Sequence, residues 1–501
     1  MQRKERPVRK VMSVLLAACI GCSTLPMAAS AEGTPGQTVV SKTSDGYSLT
    51  NGTFSVNIGK YGQISSLKIA NDSHDTDYVL NPTSAPQQAA AATHEWMGEL
   101  MLATKQGDAQ NYTEAYTSQS DSIRKVEQKG DNAVTVTYSG NATEGKGIKG
   151  YEVVETYTLQ NGKLQWDTEI HNTGSQTLTV GDFGMPLAFN EIWPGGEVYE
   201  NQVVYHSFVG QDSSYVYASR PSGDTPFLLL TPDPSTGAGF EYQDHWCTSE
   251  RSADEAMWCQ DQGGWANGLN VFYVHSDNIK KTNRGYLPNT KLVLNSNESK
   301  KYTFNFSTST GEDDMRSQLY QNHLVDAVAV PSTVVTTDTT AKVDLHTDCS
   351  KDDITAEIKC IHDLKLYANH QNTVDTTAEQ PCTKEKGTEI NYSNTVTDAS
   401  GQKHNIYTLK LSCLGQNNVI IHYKENGQDK VTTLQFYVMS PIGDALEAHS
   451  QFMVNSTQWD ANGKFYDKIF DDWNMDTKAK ETHWNGGWGD DWGPPQSGVP
   501  C

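Results

Sequence analysis

Between Tyr151 and Ile170, apolar and polar residues alternate on both sides of Asn161-Gly162. Val153, Glu155, Tyr157 and Leu159 share one phase before that pair, and Leu164, Trp166, Thr168 and Ile170 share one phase after it. A period of two puts such residues on one face of a strand. Asn-Gly suits a two-residue turn in which both central residues take positive φ. The stretch therefore predicts a β-hairpin. A chain with hairpins of this length and no long amphipathic helix between them is committed to antiparallel sheets.

The same alternation recurs around it. Tyr47 and Leu49, then Phe54, Val56 and Ile58, then Ile64, Leu67 and Ile69 read as successive strands broken at Gly59 and Gly62. Further runs at Gln202–Val209, Thr225–Leu230, Asn270–Val274, Leu292–Leu294 and Tyr302–Phe306 extend one large antiparallel sandwich over residues 46–315, after a loose lead-in at 32–45. A helical segment around Asp313–Val325 supplies a linker, assigned to 316–330. Residues 331–440, richer in Thr and Val, have the strand spacing of a small immunoglobulin-type sandwich. At Ser440-Pro441 the period changes. Ile442, Ala445, Leu446, His449, Phe452 and Met453 recur at helical spacing, with Asp444 in the first turn. The fold class expected is mainly β: two sandwiches, then the start of a helical part over 441–501.

The first ten residues carry Arg3, Lys4, Arg6, Arg9 and Lys10, and an apolar run follows to about Leu25. This is the pattern of a signal peptide, with Ala29 and Ala31 at the two small positions of a cleavage site, so residues 1–31 are expected to be removed and the protein to be extracellular. The run is too short to span a bilayer. Leu16-Ala17-Ala18-Cys19 offers a competing outcome, a lipid anchor at Cys19 and attachment to the cell surface. A net charge of −23, from 38 basic and 61 acidic residues, argues against nucleic acid as a partner.

Cys247, Cys259, Cys349, Cys360, Cys382 and Cys413 are read as disulfide candidates because the chain is exported and no Cys-x-x-Cys pair with histidine partners occurs. Cys247 with Cys259 would staple a loop, and the other four a small domain. No motif calls for a cofactor.

Chemistry concentrates in Trp484-Asn485-Gly486-Gly487-Trp488-Gly489-Asp490-Asp491-Trp492-Gly493. Glycines relax the backbone, indoles offer flat apolar faces, and carboxylates accept from hydroxyl donors. Those are the needs of a sugar pocket, so Trp488, Asp490, Asp491 and Trp492 are the substrate-binding candidates. A gap-filling loop is the plainer alternative. Two adjacent carboxylates make a poor cage for a metal, and none is expected. In His94-Glu95-Trp96-Met97-Gly98-Glu99 the two glutamates would face one way only on a helix, which the context disfavours. His206 and Glu191 imitate the His and Glu of sugar epimerases, a pairing that chance also supplies. Tyr242–Cys247 reads as a structural loop. The catalytic residues are not assigned.

The domain order resembles that of secreted six-hairpin glycosidases, in which a mutarotase-like supersandwich precedes an (α/α)6 barrel. Gly487–Gly493 is similar to an early barrel segment in an uncharacterised, domain-of-unknown-function group of secreted microbial proteins. Asn51–Val56, Phe208–Gly210 and Ser213–Tyr217 resemble the same group. The resemblance implies a glycoside hydrolase acting on poly- or oligosaccharides through a carboxylic acid and a second carboxylate. Pro494-Pro495 and the residues to Cys501 have no helical period, which leads to the expectation of an accessory N-terminal region that is inactive alone. A carbohydrate-binding or adhesion protein is the alternative. A polysaccharide lyase ranks lower, since such lyases usually place the helical part first.

Overall fold

The computed structural model describes residues 36–80, 97–119, 122–143, 145–190, 202–246, 269–279, 287–361, 379–381, 388–455, 459–460, 469–470, 472–474 and 479–481. The Asn161-Gly162 hairpin forms, with Glu152–Gln160 pairing antiparallel to Lys163–His171 and Tyr157 opposite Trp166. Asn161 and Gly162 have φ of 50° and 70°, the two positive values that close a tight hairpin without splaying its strands.

The hairpin lies inside an eight-stranded sheet. Its order is Val204–Phe208, Tyr215–Ser219, Phe227–Pro232, Ser299–Ser309, Lys163–His171, Glu152–Gln160, Ala133–Ser139 and Ile123–Lys129. A six-stranded sheet contains, in order, Tyr242–Trp246, Leu269–Ser276, Leu178–Pro186, Met101–Gln106 and Thr113–Tyr116, with Leu292–Leu294 also on Leu178–Pro186. A four-stranded sheet of Val39–Thr43, Gly46–Thr50, Phe54–Gly59 and Ile64–Ile69 shares their core. The alternation seen in the sequence is the packing code. Trp166 is fully buried and stacks on Tyr157 at 5.9 Å and on Phe306 at 6.5 Å. Truncating an indole packed in this way costs about 3–5 kcal/mol.

A second sandwich has a core of its own, including Val343, Leu345, Leu409, Val419 and Phe436. One sheet runs Asp326–Val330, Thr340–His346, Lys403–Lys410, Glu389–Thr397; the other runs Val334–Thr336, Gln428–Met439, Gly415–Glu425, Thr355–Ile361, Glu379–Pro381. The protein is mainly β, and two α-helices occur among the described residues: α1, Glu312–Gln321, and α2, Ile442–Asn455. No helix among them is long and apolar enough to cross a membrane.

Several expectations change in detail. The linker helix ends at Gln321, and Asp326–Val330 is a strand instead, because Ala327, Val328 and Ala329 pair with the edge of Thr340–His346. Val39–Thr43 in the lead-in is a strand. Tyr242–Trp246 is also a strand, not a loop. Beyond α2 the described pieces are short strand pairs, Trp459–Asp460 with Ile469–Phe470 and Asp472–Asn474 with Ala479–Glu481.

Cys349 and Cys413, expected in disulfides, are buried thiols outside any disulfide. The Cys349 thiol faces the carbonyl of Lys424 at one end of Gly415–Glu425, whereas the Cys413 carbonyl accepts from Asn417 at the other end. Seven residues of extended strand separate those contacts by roughly 23 Å, far beyond the reach of a disulfide. Burial pushes the Cys349 thiol up to about 11. Cys360 is disulfide-bonded. Cys247, Cys259 and Cys382 lie outside the described residues.

Candidate functional site

Trp488, Asp490, Asp491 and Trp492 lie outside the described residues, as do His94, Glu95, Trp96 and Glu191. Glu99 is buried and accepts from the Ser118 hydroxyl at 2.6 Å. His206 is exposed on the edge strand Val204–Phe208, its ring stacked 4.7 Å from that of Tyr217.

The alternation of that edge strand puts Tyr205 and Ser207 on the opposite face. Tyr205 packs against Phe189 at 5.9 Å and edge-on to Phe272 at 6.2 Å. Above this aromatic floor, side chains from the edges of both large sheets form one directed chain. Ser207 Oγ donates to Gln243 Oε1 at 3.0 Å, Gln243 Nε2 donates to the Tyr205 hydroxyl at 2.9 Å, and that hydroxyl donates to Asn270 Oδ1 at 2.8 Å. Tyr205, Gln243 and Asn270 are half-buried and Ser207 is exposed. Neutral amides and hydroxyls over rings offer donors and acceptors to a polyol without carrying charge. Sequence reading missed this group because it took Tyr242–Cys247 for a loop. The available signal was the phase of Tyr205 and Ser207, opposite to that of His206.

A second array spans the two large sheets. A register shift between Phe183 and Gly184 leaves Val274 without a partner and sets His275 opposite Phe183, so that its ring meets Tyr302 of the facing sheet. Glu241 accepts from Ser276 Oγ, from the Thr290 N–H at 2.7 Å and from Thr290 Oγ1 at 2.7 Å. Since the Thr290 proton goes to Glu241, its oxygen accepts from His275 Nδ1 at 2.7 Å, and His275 Nε2 accepts the Tyr302 hydroxyl at 2.6 Å. Burial and the nearby Lys300 cation hold His275 down to about 4. Burial, and then Glu241, push Tyr302 well above the usual phenol range. Near neutral pH the array is locked as neutral imidazole and phenol. A general base works best with a value close to the operating pH, so this array braces the sheets rather than moving protons.

Glu155, in the apolar phase of the founding hairpin, is fully buried. It accepts from Trp166 Nε1 at 3.0 Å and Tyr157 OH at 3.3 Å. Burial raises it to about 8, against the opposing pull of those hydrogen bonds. Enclosed in the core, it too has no path to a substrate. Groups with metal-ligating geometry among the described residues lie in the second sandwich: His346, Asp398 and His404, and His323, Asp348 and Glu425.

A family model described as a family of unknown function (DUF5695) matches residues 60–379, well over half of the chain. The chain belongs to this family. No curated protein matches it. Among solved structures, a polysaccharide lyase aligns over 89% of the chain and 52% of its own length, with 15% identity and a TM-score of 0.58. This DUF5695 member thus shares the lyase's fold and spans about half of its length. A galactose mutarotase-like protein from Clostridium acetobutylicum aligns over 55% of the chain and 99% of its own, with 11% identity and a TM-score of 0.32. A GH36 α-galactosidase, AgaA, from Geobacillus stearothermophilus aligns over 58% and 44%, with 10% identity and a TM-score of 0.28.

Proposed function

We propose that this DUF5695 protein is the sugar-handling accessory part of a secreted enzyme that breaks down poly- or oligosaccharides, with glycoside hydrolysis as the chemistry. The observation that carries the reading is the Ser207–Gln243–Tyr205–Asn270 chain over the Phe189 and Phe272 rings, an uncharged donor–acceptor array suited to sugar hydroxyls. The strongly perturbed acids described in the large sandwich are buried, which fits an accessory role better than a catalytic one. Export follows from the basic and apolar N-terminal stretch, and N-terminal sequencing of exported material should begin at Glu32.

A second chemistry, elimination, is favoured by the alignment with a polysaccharide lyase along 89% of the chain. Cleavage products formed by native secreted material separate the two. Elimination leaves a new carbon–carbon double bond that absorbs in the ultraviolet, whereas hydrolysis leaves saturated sugars.

The direct test is binding of the purified chain to a panel of soluble and insoluble polysaccharides. At least one should be retained, and Gln243→Ala and Asn270→Ala should each weaken retention by about tenfold, the equivalent of about 1.4 kcal/mol. Retention of none, or equal retention by both variants, overturns the proposal. Retention by a chain whose native secreted form cleaves nothing would identify an adhesion protein instead.

A further inference from the structure

The register of the second sandwich brings two histidines together. His346 ends the strand Thr340–His346, and its partner across the sheet is His404 of Lys403–Lys410. Their rings lie parallel, 4.4 Å apart, and Tyr320 of α1 covers His346 at 4.9 Å. The turn that joins Glu389–Thr397 to Lys403–Lys410 begins at Asp398, whose N–H donates to the carbonyl of Gln402. His346, His404 and Asp398 thereby each present one ligand atom, all within 4.8 Å of one another.

The surroundings are those of a coordination site. His404 Nδ1 lies 2.9 Å from Asp344 Oδ2, which fixes the N–H on that nitrogen and leaves the lone pair on Nε2, 3.9 Å from Asp398 Oδ2. A carboxylate behind a ligating histidine is the usual outer-shell partner of a bound metal. His346 is the less usual group. Its side chain is only 6% exposed, and neither ring nitrogen completes a well-aligned hydrogen bond, the Gln402 side chain offering a weak one at most. Its nearest acid, Asp326, stands 4.0 Å from Nδ1 and is held by Arg316 at 2.7 Å. A buried imidazole left in this condition destabilises the fold unless something takes its lone pair.

We propose that His346, His404 and Asp398 bind a divalent transition-metal ion of the Zn2+ class, with a fourth position left for water. Two imidazoles and one carboxylate suit such an ion, and its ligand bonds of about 2 Å require the stacked rings to tilt toward one point as the present spacing closes. The ion clips two adjacent strands to the turn beyond them, beneath α1. In the other cluster the histidine is not an unpartnered buried ligand: His323 is half exposed and already bonded to Asp348 at 2.7 Å.

The test uses the full chain, stripped with a chelator and titrated with Zn2+ by calorimetry and with Co2+ by visible absorption. One ion should bind per chain, and the Co2+ complex should show ligand-field bands without thiolate charge transfer. His404→Gln and Asp398→Asn should each weaken binding by at least about tenfold, while His323→Gln leaves it unchanged. His404 and Asp398 lie nearer the surface than His346, so these variants keep the test clear of a folding failure, which circular dichroism checks. Absence of saturable binding to the wild type overturns the proposal. So does wild-type affinity in His404→Gln and Asp398→Asn, or equal loss in His323→Gln.

Discussion

The Ser213 hydroxyl stands 2.8 Å from the Tyr423 phenol in a buried seam between the two sandwiches. The same oxygen accepts the Val325 N–H at 2.9 Å, so one short side chain ties together the large sandwich, the segment after α1 and the second sandwich. Nearby, Val431 N–H donates to Asp212 Oδ2 at 2.9 Å and Asp212 N–H donates to the Val431 carbonyl at 3.2 Å. Lys430, also buried, donates to the Pro234 carbonyl at 2.7 Å. Charged and polar groups in such a seam are satisfied in pairs, so removing one partner costs more than the bond itself contributes.

Ser213→Ala strips the acceptor from the buried Val325 N–H as well as the partner of Tyr423. A loss of about 1–3 kcal/mol is expected. Tyr423→Phe leaves the Val325 bond intact and should cost about 1 kcal/mol. Urea midpoints should therefore fall in the order wild type, Tyr423→Phe, Ser213→Ala. Coincident midpoints would show that the seam does not depend on Ser213.

Gly210 sits where a Cβ would lie 2.4 Å from the Phe208 ring and 2.7 Å from Thr432 Oγ1. Phe208 packs against the core of the second sandwich, so the ring cannot yield without opening that contact. Gly210→Ala should cost about 1–3 kcal/mol and speed proteolytic cutting between the sandwiches. Unchanged digestion kinetics would count against this.

The hairpins were legible in the sequence because each side chain declares its face by its phase. Glu155 follows Val153 and precedes Tyr157 in the apolar phase, so even its burial could be read from the alternation. The Phe208–Gly210 and Ser213–Tyr217 stretches drew attention as a family likeness, and the structure shows Phe208, Gly210 and Ser213 at the contact between the sandwiches. What alternation cannot give is which strands become neighbours across long loops. His346 and His404 are 58 positions apart, and only the sheet register makes them adjacent. The chain from Ser207 to Asn270 likewise needs two sheet edges to face each other. The bulge that turns His275 inward is a local irregularity that a strict period of two conceals.

His275 gives the protein an acid-side weakness. Its value falls from 6.5 to about 4 on folding because burial disfavours the cation. The unfolded chain takes up a proton between those values that the native state refuses. The stability from a neutral His275 is therefore complete above about pH 6.5 and is lost as pH falls toward 4. His275→Gln should remove this slope. The margin by which the wild type exceeds the variant in thermal midpoint should be larger at about pH 7 than at about pH 5. An equal margin at both would assign the acid sensitivity to other groups.

Glu155 works in the opposite direction. Burial raises it from 4.5 to about 8 in the folded protein, so the native state retains a proton that the unfolded chain has released. The stabilising contribution is complete below about pH 4.5 and is lost as pH rises toward 8, where the native carboxyl must also ionise inside the core. A tenfold change in proton affinity between the folded and unfolded chains is worth about 1.4 kcal/mol, which makes this one of the larger pH-linked contributions in the large sandwich. Glu155→Gln keeps the acceptor for Trp166 Nε1 and cannot ionise. Its urea-unfolding free energy should therefore stay nearly flat between about pH 7 and pH 9, while that of the wild type declines. Trp166 stacks within this cluster, so its fluorescence follows both proteins. A wild-type decline matched by the variant would mean that Glu155 is not the group responsible, and that its carboxyl finds in the native core an environment close to water.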